Sequence, residues 1–197
     1  MSFHLLLASS SPYRAELLKR LRIPFSQASP DIDETPLPDE TPQEYVLRLA
    51  REKARALQPN HPESWIIGSD QTCVVEGQPV GKAGTEAKAL EQLKRVKGQK
   101  ITFLTGLCLL SPDGSEFTLT EPFHVHFNDL PDEALQRYIR IEQPLDCAGS
   151  FKVEGLGITL FSALEGRDIN ALIGLPMIGL CELMRQAGLE PLALAEA

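Results

Sequence analysis

Three serines and an arginine follow the first apolar segment of the chain. Residues 3–8 form a short apolar run with strand character, and Ser9–Ser11 separate it from Pro12 and a pattern of helical period. Serine is a good N-cap and proline is tolerated at the first helical position, so a helix is predicted to begin here. Arg14 lies in its first turn, where a cation opposes the helix dipole. The segment is therefore either a capped helix with a snorkelling arginine, or a site where backbone N–H groups and Arg14 bind one anion.

Two more charged residues occupy positions where apolar side chains would be expected. Lys53 shares a helical stripe with Val46 and Leu49, so it either snorkels past the edge of the core or points into a cleft. Asp70 ends the apolar run 65–67 after a glycine. An aspartate there either makes a turn or is delivered by a strand to the edge of a sheet.

A lysine and a group of acids in predicted loops complete the set. Lys82 lies close to glycines, where the backbone could approach a ligand, although a surface lysine is the more common explanation. Asp31, Asp33 and Glu34 lie within four residues of one another. Most such clusters are simply solvated, but carboxylate oxygens can also help to hold Mg²⁺.

Taken together, these residues supply both charges needed at a phosphate-processing site. Arg14, Lys53 and Lys82 are cations, while Asp70 and Glu34 are acids. Such a set can bring a polyphosphate and a divalent metal together for a displacement at phosphorus.

The composition limits the class of protein and its partners. The chain has 197 residues, of which 43% are hydrophobic and 23% charged, with a net charge of −8. This length suits one globular domain, and an acidic chain with no basic block argues against binding a nucleic acid polymer. No apolar run approaches the roughly 20 residues of a membrane span, so no membrane partner is predicted. The four cysteines form no CxxC pair, which favours a reducing cytoplasm over a metal knuckle.

The order of predicted elements indicates the fold class. Strands and helices alternate first, and a long hairpin with a turn at residues 111–114 follows. Thr41 and Glu44 form a capping box that starts a helix running to about Leu57. The prediction is a single α/β domain over residues 1–197, with a mixed twisted sheet and flanking helices. The tail from about residue 190 to 197 is predicted to be flexible.

Ordered motifs along nearly the whole chain make the sequence resemble the Maf family of nucleoside triphosphate pyrophosphatases. The motifs are LASSSPYR (7–14), DETP (33–36), REKA (51–54), GSDQ (68–71), GK (81–82), TG (105–106), CAGSF (147–151) and GLP (174–176). The resemblance implies a bilobed Maf/ITPase-like α/β fold with a deep central cleft, commonly dimeric. It also implies hydrolysis of a nucleotide to its monophosphate and pyrophosphate with a divalent metal, Mg²⁺ or Mn²⁺.

The resemblance also implies a role for individual residues. Asp70 matches the catalytic carboxylate that accepts a proton from the attacking water, and Glu34 matches the acid of the loop, so these two are the expected metal ligands. Four positions match phosphate contacts: Ser9, Arg14, Lys53 and Lys82. The sequence departs from the family pattern at Ala83, where proline is usual, and at KGQK (97–100), which lacks a frequent histidine.

Three further positions bear on the choice of nucleotide. Tyr13, Gln71 and Glu154 most resemble the branch of the family that acts on 7-methyl-GTP, whereas the branch acting on dTTP and UTP tends to have arginine, threonine and glutamine. A cationic methylated guanine could stack on Tyr13 and donate hydrogen bonds to Glu154. Alternatively, Tyr13 packs on its helix and Glu154 is a solvated acid. A dTTP/UTP pyrophosphatase and a nucleotide-binding regulator of cell division remain the alternative functions.

Overall fold

The computed structural model describes residues 3–196, and within this range seven strands form one sheet with helices packed on it. The strands are β1 (Leu5–Ala8), β2 (Phe25–Ala28), β3 (Trp65–Val75), β4 (Gln78–Val80), β5 (Lys100–Leu110), β6 (Glu116–Phe127) and β7 (Phe161–Glu165). The α-helices are α1 (Pro12–Lys19), α2 (Pro42–Leu57), α3 (Glu86–Val96), α4 (Asp132–Glu142), α5 (Ile169–Ile173), α6 (Met177–Gln186) and α7 (Pro191–Leu194). Two short 3-10 helices cover Gln58–Asn60 and Leu156–Leu160.

The sheet is mixed and open, with the order β2-β1-β3-β5-β6-β7 and with β4 paired to β3. Strand β1 pairs in parallel with both β2 and β3. The pairs β3–β5, β5–β6 and β6–β7 are antiparallel. The predicted mixed sheet with flanking helices is therefore confirmed.

Local sequence signals set the start of three helices. The Ser11 hydroxyl caps α1, and Thr41 with Glu44 forms the predicted capping box at the start of α2. Thr85 caps α3 through the backbone N–H of Lys88. In each case a side-chain oxygen accepts from a backbone N–H group that has no partner inside the helix.

Apolar side chains collect at two ends of the long strands and leave a cleft between them. One cluster packs α3 and α4 on the far halves of β3, β5 and β6 around Phe103 and Phe151. At the other end, α1 and α6 cover one face of β1 and α2 covers the other. The four β1 residues are buried and alternate between these two faces.

Two glycines let α2 lie directly on the sheet. A Cβ atom at Gly68 would stand 2.0 Å from the Ala50 carbonyl oxygen, and one at Gly106 would stand 2.2 Å from the Val46 carbonyl oxygen. Any larger residue would hold the helix away from β3 and β5. This close approach brings Lys53, on the next turn of α2, down to the level of the sheet.

The sequence context suggested that Asp70 ends a strand, but the structure shows that it does not. Strand β3 continues unbroken from Trp65 to Val75, so Asp70 lies in its middle. The pairing with β1 stops at Ala8 opposite Gly68, whereas the pairing with β5 continues. The Asp70 side chain therefore faces the space just past the end of β1, at the point where a parallel neighbour is lost. Ligands of open α/β sheets bind at such positions.

The C-terminal segment forms helix α7, and Pro191 at its start is buried. The predicted flexibility of residues 190–197 stays a prediction, and Ala197 lies outside the described residues. Between residues 3 and 196, no helix combines the length and the apolar character that crossing a membrane requires.

Candidate active site

A cleft of about 780 Å³ opens past the end of β1. All nine residues to which the resemblance assigned a role line this cleft: Ser9, Tyr13, Arg14, Glu34, Lys53, Asp70, Gln71, Lys82 and Glu154. They are spread along the chain between positions 9 and 154. Their individual roles stay predictions, and the contacts below describe what the arrangement can do.

Lys53 lies between two carboxylates on the floor of the cleft. Its Nζ atom is 2.6 Å from Asp70 Oδ1 and 2.7 Å from Glu34 Oε1. The side chains of Lys53 and Asp70 are only 8% and 10% exposed, whereas that of Glu34 is 56% exposed. The lysine therefore points into the cleft, and does not snorkel to the surface of α2.

The two carboxyl groups respond differently to this environment. Burial raises the pKa of Asp70 above its usual value, although the charges of Lys53 and Arg14 oppose the shift. Burial acts in the same direction on Glu34, but the hydrogen bond and charge of Lys53 outweigh it, with help from Lys82 and Arg14. The pKa of Glu34 is therefore lowered. Asp70 is consequently the better proton acceptor of the pair.

The serine turn and Arg14 form one hydrogen-bonded unit at the start of α1. Ser9 Oγ accepts from the Ser11 backbone N–H at 3.1 Å and from Arg14 Nη1 at 3.3 Å. Arg14 Nε donates to the Gly174 carbonyl at 2.8 Å. Burial lowers the pKa of Arg14, while the charges of Asp70 and Glu34 oppose that shift. Arg14 is thus directed inward beside the carboxylates, which favours the anion-binding interpretation of this turn over a snorkelling arginine.

Glu34 is placed by contacts that the sequence did not reveal. The Tyr45 hydroxyl donates to the Glu34 carbonyl at 3.0 Å, and Arg48 Nη2 donates to the Thr35 carbonyl at 3.2 Å. Among the three acids of this loop, Glu34 is the one that contacts Lys53. The carboxylate of Asp33 instead accepts from the backbone and hydroxyl of Thr35, at 2.9 and 2.6 Å.

Lys82 also lines the cleft. It is exposed and forms an isolated antiparallel bridge with Ala148. The Gly84 backbone N–H also donates to the Leu145 carbonyl at 2.9 Å. These bonds fix the loop that carries Lys82 against residues 145–148, and the charge of Lys82 helps to lower the pKa of Glu34.

The three predicted specificity residues line the cleft in different surroundings. Gln71 Nε2 donates to the carbonyls of Ala171 and Leu172, at 2.7 and 2.9 Å, so its amide donors are directed at α5. Tyr13 is half-buried. Burial raises the pKa of its hydroxyl, and the nearby Cys147 and Asp146 raise it further. Glu154 is exposed, in the segment between α4 and the 3-10 helix Leu156–Leu160. Tyr13 therefore stays a neutral phenol with its ring at the cleft.

Two residues behind the cleft were missed by the sequence reasoning. The buried Ser69 hydroxyl lies 3.0 Å from the Gly174 carbonyl, the group that also accepts from Arg14. The buried Asp168 carboxylate accepts from the backbone N–H groups of Asn170 and Ile178, at 2.9 and 2.8 Å. Asp168 thereby caps α5 and fastens α6 to it. Only an aspartate before a short helical pattern could have signalled this role.

The carboxylates of the cleft fit a magnesium-like cation that is shared with a substrate. Among residues 3–196, no group of three or more His, Cys, Asp and Glu side chains is arranged to hold a metal ion. Glu34 and Asp70, however, both direct an oxygen at the same cationic atom of Lys53. Mg²⁺ is commonly held by one or two protein carboxylates together with substrate phosphates and water. These two residues match that pattern.

Comparison with known proteins agrees with the motifs. A family model described as Maf-like protein matches residues 4–187. The chain belongs to the Maf family. This Maf protein is also 53% identical over 187 residues to the 7-methyl-GTP pyrophosphatase of Alcanivorax borkumensis, covering 94% of this chain and 95% of that protein.

Solved structures resemble the Maf chain more distantly. A HAM1 protein from Coxiella burnetii aligns over 66% of this chain and 75% of its own, with 16% identity and a TM-score of 0.48. A nucleoside-triphosphatase / dITP/XTP pyrophosphatase from Mycobacterium abscessus aligns over 66% and 76%, with 20% identity and a TM-score of 0.42.

Proposed function

We propose that this protein hydrolyses 7-methyl-GTP to 7-methyl-GMP and pyrophosphate and so clears a modified nucleotide. The observation that carries the proposal is the buried Asp70–Lys53 pair, 2.6 Å apart, in a cleft that also holds Arg14. The choice of nucleotide is supported by the 53% identity to a protein named 7-methyl-GTP pyrophosphatase.

The triphosphate is bound by the cations and the serine turn. Arg14 is oriented by the Gly174 carbonyl and Ser9, and the exposed Lys82 lines the same cleft. Cations that line a cleft neutralise the charge that develops on phosphate oxygens as the bond breaks. The backbone N–H groups at the start of α1 add neutral donors to the same anion.

Asp70 accepts a proton from the attacking water. The water oxygen bonds to phosphorus while the anhydride bond between the α- and β-phosphates breaks, which leaves the monophosphate and pyrophosphate. An aspartate with an ordinary pKa of about 3.9 is a weak base at neutral pH. Burial raises the pKa of Asp70, so this carboxylate is a stronger base.

Glu34 and Asp70 would hold a divalent cation, Mg²⁺ or Mn²⁺, together with the phosphates. When bound, such an ion polarises phosphoryl oxygens and lowers the pKa of water. Lys53 contacts both carboxylates and is the third cation available to the phosphates.

The base is bound at the wall formed by Tyr13 and Glu154. Methylation at N7 makes guanine cationic, so its ring can stack on the neutral phenol of Tyr13. Glu154 is exposed at the rim and can accept hydrogen bonds from ring N–H groups. Gln71 contributes by holding α5, whose residues Leu172 and Ile173 also line the cleft.

The test is release of pyrophosphate with Mg²⁺ or Mn²⁺ from 7-methyl-GTP, GTP, dTTP, UTP and CTP, with Asp70→Asn as control. We expect preference for 7-methyl-GTP and loss of turnover in the variant. Turnover of dTTP or UTP instead would keep the chemistry and refute the proposed substrate. No turnover by the folded protein would favour a nucleotide-binding regulator. The homodimer and the cytoplasmic location stay predictions, and light scattering would test the first.

A further inference from the structure

Lys53 occupies the place between Glu34 and Asp70 where a divalent cation would bind. Its ammonium nitrogen is 2.7 Å from an oxygen of Glu34 and 2.6 Å from an oxygen of Asp70. Both oxygens therefore already have a positively charged partner that belongs to the chain. The distances are those of charge-assisted hydrogen bonds, which are the strong ones.

The exposures of the three side chains show which contacts can be exchanged. Lys53 and Asp70 are 8% and 10% exposed, so water compensates little if their contact is lost. Glu34 is 56% exposed and belongs to a surface loop. The Glu34 carboxylate is therefore the partner that can move away from Lys53 most readily.

Phosphate groups are the natural alternative partners for Lys53. An ammonium group has three donors, and Lys53 donates one of them to Asp70 Oδ1 while Glu34 Oε1 lies 2.7 Å from the same nitrogen. The serine turn and Arg14 line the same cleft, and would bring phosphate oxygens into it. A polyphosphate bound there offers Lys53 new anionic partners and releases carboxylate oxygens for a metal ion.

We propose that Lys53 excludes a divalent cation from Glu34 and Asp70 until a polyphosphate enters the cleft. The protein alone then binds Mg²⁺ or Mn²⁺ weakly, and metal and nucleotide bind together. This inference concerns metal occupancy and rests on the divalent metal of the proposed function, but it can be tested without any turnover.

The experiment measures binding of Mn²⁺ to the nucleotide-free protein by electron paramagnetic resonance of the free ion. The variants are wild type, Lys53→Met, Lys53→Gln and the double variant Lys53→Met/Glu34→Gln. We expect both single variants to bind Mn²⁺ about tenfold or more tightly than wild type, since they remove the competing charge. The double variant should lose that gain, because it also removes one of the two carboxylates.

Lys82→Met is the matched control for the general effect of removing a cation from the cleft. The charge of Lys82 acts on Glu34, but no carboxylate lies in salt-bridge contact with Lys82 within residues 3–196. This variant should therefore change Mn²⁺ affinity far less than Lys53→Met.

The outcomes are distinguishable. An equal gain in Mn²⁺ affinity in Lys82→Met and Lys53→Met would overturn the proposal, because the gain would then follow from removing any positive charge from the cleft. Wild-type affinity in both Lys53 variants, with folding verified by circular dichroism, would overturn it as well. Loss of pyrophosphatase activity alone would bear on the proposed function and leave this inference intact.

Discussion

Gly68 of β3 lies against Ala50 of α2 so closely that a Cβ atom at Gly68 would stand 2.0 Å from the Ala50 carbonyl oxygen. The same helix carries Lys53, whose ammonium reaches Asp70 two residues further along β3. The distance between helix and sheet therefore fixes the central ion pair of the cleft. A packing contact between two small residues thus sets the geometry of the proposed chemistry.

Gly68→Ala should lower both the free energy of unfolding and the activity. The added methyl group meets backbone atoms that cannot rotate away, so we expect a loss of about 1 to 3 kcal/mol in the free energy of unfolding. Urea unfolding measures this loss. Gly81→Ala is the stability control, because a Cβ atom at Gly81 meets nothing within 4 Å. Equal stability of the two variants would contradict the close packing of α2.

The acid limb of the pH profile should report the raised pKa of Asp70. The base must be ionised, so kcat/KM falls as pH drops through this pKa. Because burial raises the pKa of Asp70, the limb should lie at higher pH than the value of about 3.9 for an ordinary aspartate. A limb at or below that value would show that another group limits the rate.

Asp70→Asn should remove activity without removing stability. A carboxyl group whose pKa is raised in the folded state disfavours folding when ionised, and stability is lost as pH rises from the unfolded pKa through the folded one. Asparagine has no charge, so at pH 7 to 8 the free energy of unfolding should equal or exceed that of wild type. The rate should fall by about 10²- to 10⁴-fold, as for loss of a general base. Marked destabilisation of this variant would mean that the ion pair with Lys53 stabilises the fold by more than the burial of the Asp70 charge costs.

The aromatic ring of Tyr13 should govern the preference for the methylated base. Tyr13→Leu removes the ring, so the ratio of kcat/KM for 7-methyl-GTP over GTP should fall by about 2- to 30-fold, equivalent to about 0.5 to 2 kcal/mol. Tyr13→Phe is the matched control and should keep the ratio, because it retains the ring face. An unchanged ratio in Tyr13→Leu would indicate that Tyr13 only packs on α1.

Asp168 should affect both the stability of the protein and the binding of the nucleotide, through its contacts with α5 and α6. Asp168→Ala leaves the part-buried backbone N–H groups of Asn170 and Ile178 without their acceptor, at a cost of about 1 kcal/mol each. Because α5 supplies the carbonyls that hold Gln71, we also expect KM for the nucleotide to rise. Asp168→Asn keeps one acceptor oxygen and should give an intermediate loss. Chemical unfolding and steady-state kinetics would measure both effects.

The sequence by itself determined the features that depend on neighbours along the chain. The capping box of Thr41 and Glu44, the Ser11 cap of α1 and the hairpin turn at residues 111–114 all form where predicted. Such signals are readable because a cap or turn satisfies backbone groups only a few residues away. The family motifs were readable for a related reason, since residue types and their order need no coordinates.

Only the tertiary structure decided how the charged residues meet. Arg14 is turned inward by a carbonyl 160 positions away, and Gln71 is directed at α5 by carbonyls 100 and 101 positions away. Lys53 reaches Asp70 because α2 lies directly on Gly68, and Asp70 faces the cleft because β1 ends beside the middle of β3. Contacts of this kind depend on the distance between packed layers and on strand register. Neither quantity is encoded in the local sequence around any one of these residues.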